Sequence, residues 1–275
     1  MTLSVLYELL NIIRHIEMSC ELLNASLGTP LFLKFTVVIG IALSKTKETT
    51  MLNYGLKTWI RPRAWMSYLM LIPCNKNFTI PKFIESRCTL NSIWNYHTGN
   101  YMVLAELLET MYSTLPRHDF YLKIDTDTLV VPSNLALFLT KFPQVQYFGS
   151  TDVTYKNVKV LGIKNRFNYI QGGFEGYSYN SIQTIVNDKC IAKVGYPNCS
   201  TTYCLNKRDD ISGGACAFLN DIKLTHCKCF FPWGPCDIYN PSSCTGRICA
   251  NTISIHKLKK KDWYFKWWNI LTNIS

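Results

Sequence analysis

Apolar residues fall along this chain in short β-branched runs, separated by stretches with helical period. Thr36-Val-Val-Ile-Gly-Ile-Ala-Leu43 is unbroken, as in a strand buried on both faces. The longer run from Leu31 to Leu43 holds 13 residues with Lys34 inside it. A membrane-spanning helix wants roughly 20 apolar residues, so a first core strand is expected here rather than an anchor. Upstream, Met1 to Asn24 reads as helical, with Leu3, Leu6, Leu10, Ile13 and Ile16 apolar. Glu8, Arg14, His15 and Glu17 interrupt it, so it is no signal peptide of the usual form. Glu48 to Trp59 predicts a helix, Ser67 to Ile72 a second strand closed by Pro73, and Cys74 to Arg87 a loop. Thr98 to Thr114 carries the clearest helical period, with Met102, Ala105, Leu108, Met111 and Tyr112 on one face. Phe120 to Ile124 then reads as a buried strand, and Pro132 and Ser133 open a helix over Asn134 to Phe142.

The second half alternates less cleanly. Val145 to Gly149 predicts a strand, and Val158 to Ile163 with Phe167 to Ile170 a hairpin about Lys164-Asn165. Ser178 to Asp188 predicts a helix with Ile182 and Ile185 inward, and Ile253 to His256 a short strand. The aromatic segment Asp262 to Leu271 reads as packing and as one wall of a sugar site. Strands alternating with helices imply an α/β fold whose mostly parallel sheet receives ligands at its strands' carboxyl ends.

Composition narrows the partners. The 275 residues, 48% apolar and 17% charged, can bury a large single core. An excess of 29 Lys plus Arg over 18 Asp plus Glu gives +11 and favours an anionic partner. No block resembles a nucleic-acid arm, so no nucleic acid is expected; the densest cluster, Lys257 with Lys259 to Lys261, reads as solvated surface. Nine of the 12 cysteines follow residue 189 without any C-x-x-C pair, and Cys227-Lys-Cys229 is too close for a zinc knuckle. Disulfides in a secretory lumen account better for them, in keeping with sequons at Asn24, Asn77, Asn198 and Asn273.

Chemistry concentrates where the strand Phe120 to Ile124 stops. Asp125 and Asp127 alternate, and on extended backbone residues i and i+2 face one side. Two oxygen donors at a strand end suit Mg²⁺ or Mn²⁺ carrying phosphates, although Asp and Thr are also ordinary turn formers. Asp209 and Asp210 stand where a helix begins and read equally as caps. His256 closes an apolar strand, as a third metal ligand or a core histidine. Gly172 and Gly173 allow close backbone approach without matching a nucleotide-binding glycine signature.

In order and approximate spacing, LKTWIRPRAW, LKIDTDTLVVPSNL, YFG, YIQGG…GY, DDISGGAC and ISIH resemble the fringe-like β1,3-glycosyltransferases, nearest the core 1 β1,3-galactosyltransferase group, over about residues 33 to 271. The resemblance implies a GT-A-like sheet with a disulfide-rich C-terminal part: a helical stem over 1–30, then one domain over 31–275. It implies inverting transfer of a hexose, galactose first, from a UDP-sugar to a glycoprotein O-glycan with Mn²⁺ as cofactor. On that reading Asp125, Asp127 and His256 are metal ligands, Asp210 the general base and Asp209 its acidic neighbour. Lys123, Asp125, Thr126, Gly172 and Gly173 would face the nucleotide sugar. The expected setting is a Golgi or other secretory lumen, type II membrane-associated, with a membrane anchor or stem and a homodimer both left open. Three departures stand out: Thr126 is the middle of the acidic triplet, Asp209 replaces the usual Glu, and Gly172-Gly-Phe-Glu-Gly-Tyr177 is one residue longer. Two other readings are an inactive lumenal chaperone and a carbohydrate-binding module without turnover.

Overall fold

The computed structural model describes residues 16–18, 34–43, 46–74, 78–89, 101–153, 163, 166–171, 173–194, 209–231 and 252–273. Its first half comprises β1 (Ile16–Met18), β2 (Val37–Ala42), α1 (Thr46–Lys57), β3 (Met66–Pro73), β4 (Glu85–Thr89) and α2 (Tyr101–Thr114). There follow β5 (Phe120–Ile124), β6 (Leu129–Val130), α3 (Pro132–Lys141), β7 (Tyr147–Gly149), β8 (Thr151–Val153), β9 (Asn168–Ile170) and β10 (Phe174–Ser178). The remainder is α4 (Tyr179–Asn187), α5 (Cys190–Val194), α6 (Asp209–Leu219), β11 (Leu224–Cys227), β12 (Phe230–Phe231), β13 (Ser254–Ile255) and α7 (Lys261–Asn273).

Eight strands form the central sheet in the order β1-β11-β7-β10-β5-β2-β3-β4. Every neighbouring pair is parallel except those of β10, which runs antiparallel between β5 and β7. The period-2 alternation of strand side chains divides the core into two layers. Val37, Ile39, Ile41, Phe120, Leu122 and Ile124 pack with residues of α1, α3 and α7 on one face. Val38 and Tyr121 pack with residues of α2, α4 and α6 on the other. The mixed α/β architecture with a mostly parallel sheet between helices is thus as the apolar runs imply. A small sheet, β12-β13-β6, lies beside it, with β13 antiparallel to β6.

Several expectations change. The inward face of α2 is Leu104, Leu107, Leu108 and Met111, while Met102 is 44% exposed. Apolar residues nearly encircle this helix, so its period alone does not single out a face. The selection comes from β2, where a side chain at Gly40 would collide with Met111 and Leu107. Part of the expected loop from Cys74 to Arg87 is strand: β4 pairs parallel with the end of β3, and a Cys74–Cys88 disulfide ties the two together. Its exposed, polar ESRCT sequence gives an edge strand no hydrophobic signature. The hairpin partner of Phe167 to Ile170 is β8, not Val158 to Ile163, of which all but Ile163 lies outside the described residues. Within the N-terminal stretch read as helical, Ile16–Met18 is a strand that pairs parallel with β11 and covers that strand's backbone edge; the rest of 1–33 lies outside the described residues.

A second disulfide, Cys190–Cys216, joins α5 to α6, and the two bridges fit a secretory or lumenal protein. No helix among the described residues is long and apolar enough to cross a membrane. The sequons at Asn24, Asn77 and Asn198 lie outside the described residues. Cys190–Cys216 closes a loop with a sequence separation of 26, and such a loop restrains the unfolded chain by about 3 kcal/mol. Replacing both cysteines by serine is expected to lower unfolding stability by about that amount, read from the denaturant midpoint at constant m-value.

Candidate functional site

Strand β5 runs through the middle of the sheet and ends at Ile124, where the chain turns back. Thr128 N–H donates to the Asp125 carbonyl at 3.0 Å, so Asp125-Thr126-Asp127-Thr128 is a hydrogen-bonded turn. The two carboxylates therefore reach one site by way of a turn rather than by the strand alternation expected, because Asp and Thr favour the tighter conformation. The turn is fastened from several sides. Asp125 N–H and the Thr128 hydroxyl both donate to the Gly173 carbonyl, at 3.2 and 2.9 Å. Leu258 N–H donates to the Asp127 carbonyl at 3.0 Å. Thr126 stands at the tip, partly exposed.

His256 arrives from the far end of the sequence. Strand β13 pairs with β6, immediately after the turn, and His256 N–H donates to the Phe231 carbonyl at 2.8 Å. Its Nε2 then lies 3.1 Å from Asp127 Oδ1 and 3.4 Å from Asp125 Oδ2. One ligand atom from each of Asp125, Asp127 and His256 falls within 4.8 Å of the others. Donors about 2.1 Å from a shared ion sit about 3 Å apart in adjacent octahedral positions, so the cluster needs little adjustment to hold a divalent cation. Two carboxylates with one imidazole suit Mn²⁺ better than Ca²⁺, which takes oxygen alone.

Gly173 is shaped by this arrangement. A Cβ there would run into the His256 side chain at Cβ, Cγ and Nδ1. Its lack of a side chain thus makes room for the imidazole while its carbonyl holds the turn. Gly172, expected beside it, lies outside the described residues.

Lys123 and Asp209 complete the neighbourhood. Lys123 is 6% exposed, and its Nζ lies 2.9 Å from Asp125 Oδ1, 2.8 Å from Asp209 Oδ2 and 3.6 Å from Glu175 Oε1. Burial opposes its charge, but the three carboxylates outweigh burial and hold the ammonium well above its ordinary range. Burial likewise pushes Asp209 up, and the Lys123 charge and hydrogen bond more than reverse it, leaving it below the usual range. Asp127 is also depressed: His256 and then Lys259, at 3.7 Å, overcome the effect of burial. Asp210 follows Asp209 in the first turn of α6, and its Oδ1 accepts the Ile211 N–H at 2.8 Å. The structure thus gathers Lys123, Asp125, Asp127, His256 and Asp209 into one connected set, with Asp210 adjoining through α6.

Glu175 was not anticipated. It lies directly across from Lys123 in the β10–β5 register and is fully buried. Tyr177 and Tyr147 hydroxyls donate to its Oε2 at 2.7 and 3.2 Å. Burial raises its pKa to about 8, with Lys123 and Tyr177 pulling down and Asp209 and Asp210 pushing up. The available signal was a lone carboxylate inside the otherwise uncharged strand FEGYS.

Two outcomes follow from this geometry. Gly173→Ala is expected to displace the imidazole and weaken binding of a divalent cation, with Mn²⁺ as the probe, by about tenfold or more, read by calorimetric titration, since loss of a residue that orients a ligand typically costs that much. Glu175 binds a proton in the folded chain that the unfolded chain releases near its ordinary pKa of 4.5. Its contribution to stability is therefore full below that value and lost as pH rises through about 8. Glu175→Gln should raise the melting temperature by several degrees at about pH 9 and hardly at all at about pH 5. Equal shifts at both pH values would contradict this.

Compared with known proteins, the chain matches no family model and no curated sequence.

Proposed function

We propose that the chain is a metal-dependent, inverting β1,3-glycosyltransferase of the fringe-like GT-A type. It moves a hexose, galactose as the first candidate, from a UDP-sugar to a glycoprotein O-glycan. The observation that carries this reading is the joining of two acidic groups through one lysine. Asp125, Asp127 and His256 form a cation-sized cluster at the carboxyl end of a central strand, and Lys123 links it to the acidic start of α6. A plain turn with a capped helix needs no imidazole between its carboxylates and no buried cation beneath them.

The roles divide across the sheet. Asp125, Asp127 and His256 would hold the divalent ion, which when bound supplies Lewis-acid stabilisation to a diphosphate leaving group. Asp210 would take the proton of the acceptor hydroxyl, a role worth about 10²–10⁴-fold in rate. Its Oδ1 is oriented by the Ile211 amide, and its neighbour Asp209 is fixed by Lys123. Inversion requires base and leaving group on opposite faces of the sugar, in keeping with one acidic group following β5 and the other opening α6. We assign Asp209 and Lys123 to positioning, because each is committed to the other at 2.8 Å. Thr126, at the open tip of the turn, is the residue of that segment we assign to the nucleotide side. A Golgi or related lumen, with type II attachment, is the proposed setting and agrees with the disulfides.

The test is a screen of UDP-hexoses for Mn²⁺-dependent hydrolysis or transfer. EDTA should abolish turnover and Mn²⁺ restore it. Asp127→Ala and Asp210→Asn should each reduce turnover by about 10²-fold or more, and only the first should weaken metal binding. UDP binding without turnover of any donor would favour a non-catalytic carbohydrate-binding or helper protein.

A further inference from the structure

We propose that Glu175 is a positioning residue, its carboxyl setting how the Lys123 ammonium is divided between Asp125 of the metal cluster and Asp209 at the start of α6. The kinetic consequence rests on the transferase reading above; the metal-binding consequence does not.

The geometry singles out this carboxyl. Glu175 Oε2 is taken by two tyrosine hydroxyls, whereas Oε1 has no hydrogen-bond partner and points at Lys123 Nζ from 3.6 Å. The ammonium already has two closer anions at 2.8 and 2.9 Å. From above, α6 closes the space: a Cβ on Gly213 would lie 2.8 Å from Glu175 Oε2 and 2.7 Å from the Tyr177 hydroxyl. Helix α6 therefore rests directly on the carboxyl through a glycine. The charged and titratable groups facing Glu175 are Lys123 from β5, Tyr147 from β7, Tyr177 on its own strand, and Asp209 and Asp210 from α6.

Two states follow. Protonated Glu175 is neutral, and Lys123 is shared by the anions Asp125 and Asp209. Ionised Glu175 is a third anion already beside the ammonium, and it draws Lys123 toward β10. Asp125 is then less neutralised, so a cation binds more tightly. Asp209 is held less firmly, so the first turn of α6, which carries Asp210, loses its anchor and turnover falls. With ionisation centred at about 8, both changes fall within an accessible pH range. Opposite effects on metal affinity and turnover separate this role from simple packing, which would impair both.

Mn²⁺ affinity, measured by EPR under argon, and turnover are compared for wild type and Glu175→Gln between about pH 6.5 and pH 9. Glutamine keeps the neutral state at every pH. Wild-type affinity is expected to rise about five- to tenfold more than that of E175Q across this interval, while its turnover falls along a limb that E175Q lacks. The carboxyl ¹³C resonance missing from the variant should titrate near 8 in the wild type. Tyr177→Phe, which deletes the shorter hydrogen bond to Oε2, should move the affinity and turnover limbs together to higher pH; it serves as the second variant if E175Q does not fold. Superimposable Mn²⁺ profiles for wild type and E175Q, or a carboxyl midpoint near the ordinary glutamate value, would overturn the inference. A persisting difference in Mn²⁺ binding with no turnover of any UDP-hexose would sink the transferase reading and leave the role of Glu175 standing.

Discussion

A single buried ammonium holds the site together. Lys123 is nearly excluded from solvent, in the central strand of the sheet, where an unpaired charge would be too costly to keep. It is tolerated because Asp125 and Asp209 lie within 3 Å of it. Removing one carboxylate would leave the ammonium a single close anion, and removing both would leave it without one. The same dependence makes the pairing informative. Apolar residues in place of the whole lysine–carboxylate group would serve stability as well or better, so the group is better explained by what it fixes. It fixes the distance between the turn after β5 and the start of α6, the two acidic groups of the candidate site.

The antiparallel strand β10 makes that arrangement possible. Inserted between β5 and β7, it sends alternate residues to opposite faces of the sheet. Glu175 and Tyr177 enter the layer beneath α6, where Tyr147 and Tyr177 stack at 4.9 Å between ring centres. Gly176, on the other face, lies against the Phe148 ring, which a side chain there would strike. Gly173, just before the strand, admits His256. Gly173 and Gly176 thus serve the close approach of His256 and Phe148.

Much of this was legible beforehand, for identifiable reasons. Strands β2, β3 and β5 are buried on both faces, so their apolar runs speak without ambiguity. Asp125 and Asp127 stood out because they end such a run, and His256 because it ends another. What could not be read was pairing between distant segments. No local pattern says that β10 would run antiparallel beside β5, and without that register Glu175 is merely a charged residue among glycines. The face of α2 was ambiguous for a related reason: it is decided by a glycine on β2, far away in sequence. Edge strand β4 lacked a signal because it is held by a disulfide and backbone pairing, neither of which selects apolar side chains.

The charges around the turn also bear on how the cluster meets a cation. Asp127 is held by His256 and approached by Lys259, while Asp125 is held by Lys123 and His256. Each carboxylate of the cluster is therefore partly neutralised before any metal arrives, which keeps two acidic groups on one short turn from repelling each other apart. The same compensation sets a threshold for binding. A divalent ion would take the place of the imidazole–carboxylate contacts, and its charge would repel Lys259, whose side chain is 67% exposed. Lys123 has no such exit. The cation and the buried ammonium must share Asp125, so the affinity of the cluster and the position of α6 are coupled through one oxygen-bearing side chain. A cation held there would therefore be coupled through Lys123 to Asp209 at the start of α6.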